Sequence, residues 1–409
     1  MKALFHDFSL SAVVAGFIAT VISYAGPLVI IFQAADSAGL SQAVLSSWIW
    51  AISIGSAVLG IGLSLRYRVP IIIAWSAPGS ALLVALLPQI SLNQAVGAYL
   101  VASLIVFLVG ISGAFDRLIG KLPAAISAGM LAGILFSFGT GLFVSLQAKP
   151  FLVLAMFASY LLVKRLSPRY AVMAVLLVGC GIALFTGDLR QDALVIGLAT
   201  PVWISPEFSL AASLNIALPL VMLALTGQFV PGMAVLRNAG YPTPASPIIG
   251  SCALGSLLLA PFACHGLNLA AITAAICTGR EAHEDPARRY VAGVVGGLAY
   301  LLLGLFGATL VSLFSAFPRE LIAALAGLGL FGAIAGALAG AMARPDDREA
   351  ALITFLVTAS GMSFMGLSAA FWGLVFGIAA HLLLSVRRQV ALAAPPLRAT
   401  TLAKEEATG

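Results

Sequence analysis

The chain has 409 residues, 61% hydrophobic and 9% charged, with a formal net charge of +6. A soluble domain carries about 25% charged residues; here long apolar runs recur from Phe8 to Leu384, which excludes a soluble globular protein. The basic residues have no aromatic interleaving and fall in short stretches between apolar runs, which excludes a nucleic-acid partner and points to membrane orientation.

The pattern predicts an all-α membrane protein of fourteen segments, at about 10–33, 43–65, 71–84, 92–113, 122–145, 150–163, 169–186, 208–233, 247–260, 264–278, 289–313, 320–341, 350–366 and 370–386. The first is too long for a signal-peptide core and lacks a small-residue cleavage site, so it reads as a span. Segments 71–84, 150–163, 247–260 and 264–278 are short for a straight spanning helix. The stretch from about 389, with Pro395, Pro396, Lys404, Glu405 and Glu406, is expected to be a loose cytoplasmic tail. Cys180, Cys252, Cys264 and Cys277 lie in or beside apolar segments without metal-ligand spacing. They read as small core residues, and no disulfide, metal or cofactor is expected.

Charge tests the count. With the N-terminus inside and the segments alternating, 18 Lys and Arg residues fall inside. Only Lys149, Arg190 and Arg319 fall outside. That asymmetry supports a multi-pass inner-membrane protein with both termini cytoplasmic.

Three landmarks recur in order. Asp7-Phe8-Ser9-Leu10 matches Glu207-Phe208-Ser209-Leu210, Pro70 matches Pro261, and Leu122-Pro123 matches Phe317-Pro318, at offsets of 200, 191 and 195 residues. Seven segments per half is odd, so the halves would form a 7+7 inverted repeat. In such transporters the substrate lies near the midplane, between discontinuous helices in matching positions.

The matching short segments are the third and the tenth. In the third, Pro70 and three isoleucines favour extended chain. Ser76 then fits a helix N-cap and Pro78 its first turn, within Trp75-Ser76-Ala77-Pro78-Gly79. The tenth runs Pro261-Phe262-Ala263-Cys264-His265-Gly266-Leu267-Asn268, with the same plan of strand, polar break and half-helix. Two half-helix N-termini facing each other would make an anion site without lysine or arginine. Two simple kinks between packed helices are the alternative.

No Asp or Glu is predicted deep in a span, which argues against a cationic substrate. His265 is the one titratable group expected mid-membrane, and a bound anion would favour its imidazolium, so anion and proton would load together. A structural, hydrogen-bonded histidine is the alternative. Thr226-Gly227-Gln228 forms a polar notch in the eighth segment, and Tyr24 holds the matching place in the first. Trp75 and Phe262 flank the breaks and would sandwich an aromatic ring; ordinary helix packing would also account for these residues. No nucleophile–base cluster, metal pattern or phosphate loop supports an enzyme.

On Trp75-Ser76-Ala77-Pro78-Gly79, His265-Gly266-Leu267-Asn268, Thr226-Gly227-Gln228 and Leu122-Pro123, the chain resembles the BenE family of benzoate/proton symporters over about 1–388. That family is similar in fold to uracil/xanthine permeases and sulfate-type anion carriers. The resemblance implies a core domain of 1–116 with 207–316 and a gate domain of 117–206 with 317–388. It also implies substrate contacts from Tyr24, Trp75, Ser76, Ala77, Pro78, Gly79, Gln228, Phe262, His265, Gly266, Leu267 and Asn268. Gln228 and His265 stand where the nucleobase branch has glutamates, which favours an anion over a nucleobase. The expected partners are a small aromatic carboxylate, a proton and membrane lipid, with a homo-oligomer left open. Another organic anion, a nucleobase or an anion channel remain the competing readings.

Overall fold

The structure, a computed structural model, describes residues 7–115, 117, 123–189 and 194–393. Leu122 of the Leu122-Pro123 landmark, Arg190 and the chain beyond residue 393 lie outside the described residues. Among the described residues the fold is helical, with four very short strands. In chain order the elements are α1 (Leu10–Ala25), α2 (Pro27–Ser37), α3 (Gln42–Tyr67), β1 (Ile73–Trp75), α4 (Ala77–Leu86), α5 (Leu92–Ile111), α6 (Ala124–Ser145), α7 (Pro150–Leu166) and α8 (Ala171–Phe185). Then follow α9 (Leu210–Asn238), α10 (Ala245–Leu259), β2 (Leu267–Leu269), α11 (Ile272–Thr278), α12 (Tyr290–Leu305), α13 (Gly307–Ala316), α14 (Arg319–Met342), α15 (Arg348–Ala359), β3 (Ser363–Phe364), β4 (Leu367–Ser368) and α16 (Ala369–Ala393).

Among the described residues, eight helical stretches are long and apolar enough to cross a membrane. Several differences from the predicted segments have local causes. The first apolar run divides at Gly26-Pro27, because Pro27 has no N–H to continue the helical ladder. The eleventh breaks at Phe306 into α12 and α13. The thirteenth, expected to reach 366, ends as a helix at Ala359. Gly361, Met365 and Gly366 have positive φ, and the chain turns there into an exposed β3–β4 hairpin.

Close approach of backbones sets much of the packing. A Cβ on Gly16 would stand 2.3 Å from the carbonyl oxygen of Ala292, so α1 and α12 touch main chain to main chain. Helices α1, α3 and α12 pack together, as do α5 and α10, while α6 packs against α14, α15 and α16. Helix α9 runs beside α5 and carries two π-helical turns, Ser213–Ala217 and Leu225–Phe229. Residues 194–206 form no regular element. They run as a strap along α13, with Val195 N–H donating to Ser312, Gly197 N–H to Thr309, Ala199 N–H to Leu305 O and Val202 N–H to Ser47.

Candidate functional site

β1 forms because β-branched Ile71, Ile72 and Ile73 follow Pro70, and it is buried throughout. Extended backbone in this apolar setting needs internal hydrogen-bond partners. It finds them in β2, antiparallel, with Ile73 opposite Leu269, Ala74 opposite Asn268 and Trp75 opposite Leu267. Ala270 N–H extends the pairing to Ile72 O, and Leu267 N–H is taken by the Ser256 hydroxyl at 2.8 Å.

The chain turns from β1 straight into α4. Ser76 Oγ accepts the Gly79 N–H at 3.0 Å, and Pro78 sits in the first turn, where its missing N–H costs nothing. Pro78 and Gly79 are buried, while Ala77 is half-buried. A Cβ on Gly79 would lie 2.9 Å from Leu220 Cδ2, so glycine lets α9 approach this turn.

His265 docks onto that turn from the other half of the chain. It is 3% exposed. Its Nδ1 accepts from Trp48 Nε1 at 3.1 Å. Its Nε2 lies 3.0 Å from Ser80 Oγ and 3.2 Å from Ser76 O. Indole nitrogen only donates, so Nδ1 carries a lone pair. Ser80 Oγ donates to Ser76 O at 3.0 Å and is therefore free to accept from Nε2. The donor inventory thus assigns the neutral Nε2–H tautomer. A proton on Nδ1 would face the Trp48 N–H and must first displace it.

The second break differs from its predicted form. The half-helix α11 starts at Ile272, seven residues after His265, with Ala271 before it and no side-chain cap. His265 therefore stands at the N-terminus of α4, not of α11. α11 itself has only 7 residues, so the pair of facing helix dipoles reduces to the α4 terminus.

The aromatic residues also separate. Trp75 packs edge-on to Tyr24 at 5.4 Å and to Tyr300 at 6.1 Å. Phe262 packs against Trp50 and Trp203, each at 5.6 Å. Trp75 and Phe262 thus belong to two separate aromatic groups. Gln228 lies in the π turn Leu225–Phe229, which packs on β2 and α6. It is half-buried, its side chain has no hydrogen-bond partner among the described residues, and Gly227 beside it faces open space. Thr226 Oγ1 bonds back to Met222 O at 2.7 Å. A π turn leaves room where an α turn would not, and such turns mark functional positions.

A cavity of about 30 Å³ lies against the strand pair, lined by Ser76, Ser103, Ser256, His265, Gly266 and Asn268 among others. Asn268 is 4% exposed, and neither its side-chain amide nor the Ser103 hydroxyl has a partner among the described residues. This space suits a water; a benzene-sized ligand needs about 150 Å³. Ala77, Gly227 and Gln228, by contrast, are only half-buried. Trp48, Ser80 and Tyr300 are site residues that sequence reasoning missed. Each is an ordinary residue of an apolar run, and only the fold brings it to His265 or Trp75. Away from this site, Asp347 is buried beside His381 Nδ1 at 3.0 Å, although every acidic residue was expected in a loop, end or tail. It does lie in the loop before α15, which folds inward.

Long apolar helices around a buried two-stranded crossing define a multi-pass membrane protein with the fold of known anion transporters. The structure is similar to SLC26A9 (TM-score 0.63, 13% identity, 94% of this chain and 67% of that one). It is likewise similar to the transmembrane domain of the cyanobacterial bicarbonate transporter BicA (TM-score 0.58, 15% identity, 93% of this chain and 98% of that one). Within that fold, the chain belongs to the BenE family, the benzoate membrane transport proteins, whose family model matches residues 6–383. It is 51% identical over 94% of its length, and 98% of the relative's, to the benzoate membrane transport protein of Acinetobacter baylyi. It is 42% identical over 91% of its length, and 95% of the relative's, to the inner membrane protein YdcO of Escherichia coli.

Proposed function

We propose that this chain is a secondary carrier that imports benzoate with a proton across the inner membrane, both termini cytoplasmic. Its fourteen spans form an inverted 7+7 repeat, with a core of 1–116 and 207–316 and a gate of 117–206 and 317–388. Family membership and the curated relative named for benzoate transport support the substrate. The observation that carries the site is the β1–β2 crossing, where Ser76, His265 and Asn268 meet without a carboxylate and the Gln228 turn lies alongside.

In this reading the carboxylate of benzoate approaches the N-terminal turn of α4 and the unpartnered amides of Gln228 and Asn268. The ring lies over Ala77, Gly227 and Phe229, and Trp75 backs the site through Tyr24 and Tyr300. The space beside the crossing opens when core moves against gate. His265 takes the coupling proton only when Trp48 has released Nδ1; until then it braces the crossing.

The test is uptake of labelled benzoate into proteoliposomes, with and without an inward proton gradient, against uracil, sulfate and bicarbonate as competitors. Gradient-driven uptake blocked by unlabelled benzoate alone is expected. Displacement by uracil, sulfate or bicarbonate instead would remove the substrate assignment, and indifference to the gradient would remove the symport. In His265→Gln, uptake is expected to persist but to lose its dependence on the gradient. Retained dependence would place the proton elsewhere.

A further inference from the structure

The first π turn of α9 carries Asn215, a polar side chain 5% exposed in a largely apolar stretch. An amide among apolar helices is costly unless both its ends are paired. Asn215 pairs them with main chain of the β3–β4 hairpin: its Nδ2 donates to Gly366 O at 3.0 Å, and its Oδ1 accepts the Ser368 N–H. The side chain thus acts as one more peptide group of the hairpin. Positive φ at Met365 and Gly366 turns those groups toward α9.

α9 belongs to the core and the hairpin to the gate, so these bonds cross between them. The Asp36–Arg319 pair, 3.6 Å apart, crosses at the same end, where exposure leaves it worth little. At the opposite end, the ion pairs of Asp7 with Arg68 and Arg288, and of Asp347 with Arg344 and His381, each stay within one group.

We infer that Asn215 and the β3–β4 hairpin form a latch that holds the outer face of the carrier shut. The inference rests on the core and gate division and the orientation proposed above. Import then requires both bonds to break and re-form in each cycle. Asn215 is a positioning residue here and need not touch substrate.

Cross-linking tests it. Asn215→Cys with Ser368→Cys is made in a Cys180→Ala background, since the other three native cysteines are buried. Oxidation is expected to lower benzoate uptake at least tenfold, with recovery on adding dithiothreitol. Unchanged uptake by the cross-linked protein overturns the latch. A second measurement does not depend on the substrate. A cysteine at Gln228→Cys is labelled with a membrane-impermeant maleimide added from outside, with Asn215 intact or as Asn215→Ala. Labelling is expected to rise several-fold when the latch is cut. Unchanged labelling, or a rise only from the inside, overturns it. If the unmodified carrier takes up no benzoate, the substrate assignment falls, and the labelling result still decides the latch.

Discussion

The two chain breaks at the centre of the molecule are built from opposite materials. The first has three isoleucines, a Ser76 cap and the ten-residue, largely buried helix α4. The second has a left-handed Ala263 (φ 68°), Gly266 at φ 141°, and the uncapped seven-residue α11, whose first residue Ile272 is 73% exposed. Yet the titratable side chain is on the second break, and its partners Trp48, Ser76 and Ser80 all come from the first half of the chain. The first break is a frame. The second is an insert whose shape the frame enforces.

Breaking the bonds between frame and insert should have the largest effect. His265→Ala leaves the Trp48 N–H buried without a partner, at about 1–3 kcal/mol, and adds a cavity on top. Thermal unfolding in detergent should show a marked loss, with uptake abolished. His265→Gln supplies one acceptor and one donor, so most of the stability should return. Equal instability of the two variants would mean that ring packing, not the hydrogen bonds, joins the breaks.

Gly79→Ala should come next. Its Cβ would press on Leu220 at 2.9 Å and Ser76 at 3.1 Å, costing about 1–3 kcal/mol. Gly227→Ala, with nothing within 4 Å, should leave unfolding nearly unchanged and serves as the contrast. Similar losses in both would refute the idea that α9 presses closely on the first break at Gly79.

The caps sharpen the comparison further. Ser76→Ala should cost about 1 kcal/mol. Ala271→Ser should change stability by no more than about 0.5 kcal/mol, because Ala271 has helical backbone (φ −98°, ψ −53°) where a cap needs extended chain. A clear gain there would show that the second break is merely missing its cap.

The smallest effect lies away from both breaks. The Tyr290 hydroxyl and Arg68 hold the Asp7 carboxyl below its ordinary value, against the opposing effect of desolvation. A depressed carboxylate stabilises the fold above its unfolded value near 3.9 and loses that contribution as pH falls through the folded value. Asp7→Asn should lower stability slightly at neutral pH, with the difference vanishing below about pH 4, so the acid limb of unfolding flattens.

The multi-pass helical architecture was legible in the sequence because long apolar runs and loop charges are local signals. Ser76 and Pro78 were legible for the same reason, since a cap acts on the next three residues. The start of α11 was not. Nothing near His265 says that strand intervenes, because β2 exists by pairing with a segment almost two hundred residues away. Trp48 and Ser80 were hidden for that reason too. The reach of the thirteenth helix was overestimated because its apolar run continues through Phe364 and Met365, while the glycines at 361 and 366 turn the backbone out. Phe262 and Trp75 flank matching breaks in sequence, yet the left-handed Ala263 sends the Phe262 ring to Trp50.

The strap of residues 194–206 is sewn to α13 by Ser312 and Thr309 and to the end of α12 by Leu305, and its Ile204 N–H is tied to Pro261 O. Most of its fastenings therefore belong to chain that follows it in synthesis. By these bonds the strap goes with the chain that follows it, well ahead of the next helix at Leu210. A gene divided just ahead of residue 194 would leave the strap on the fragment that anchors it, and the two pieces would have their natural seam for reassembly in the bilayer.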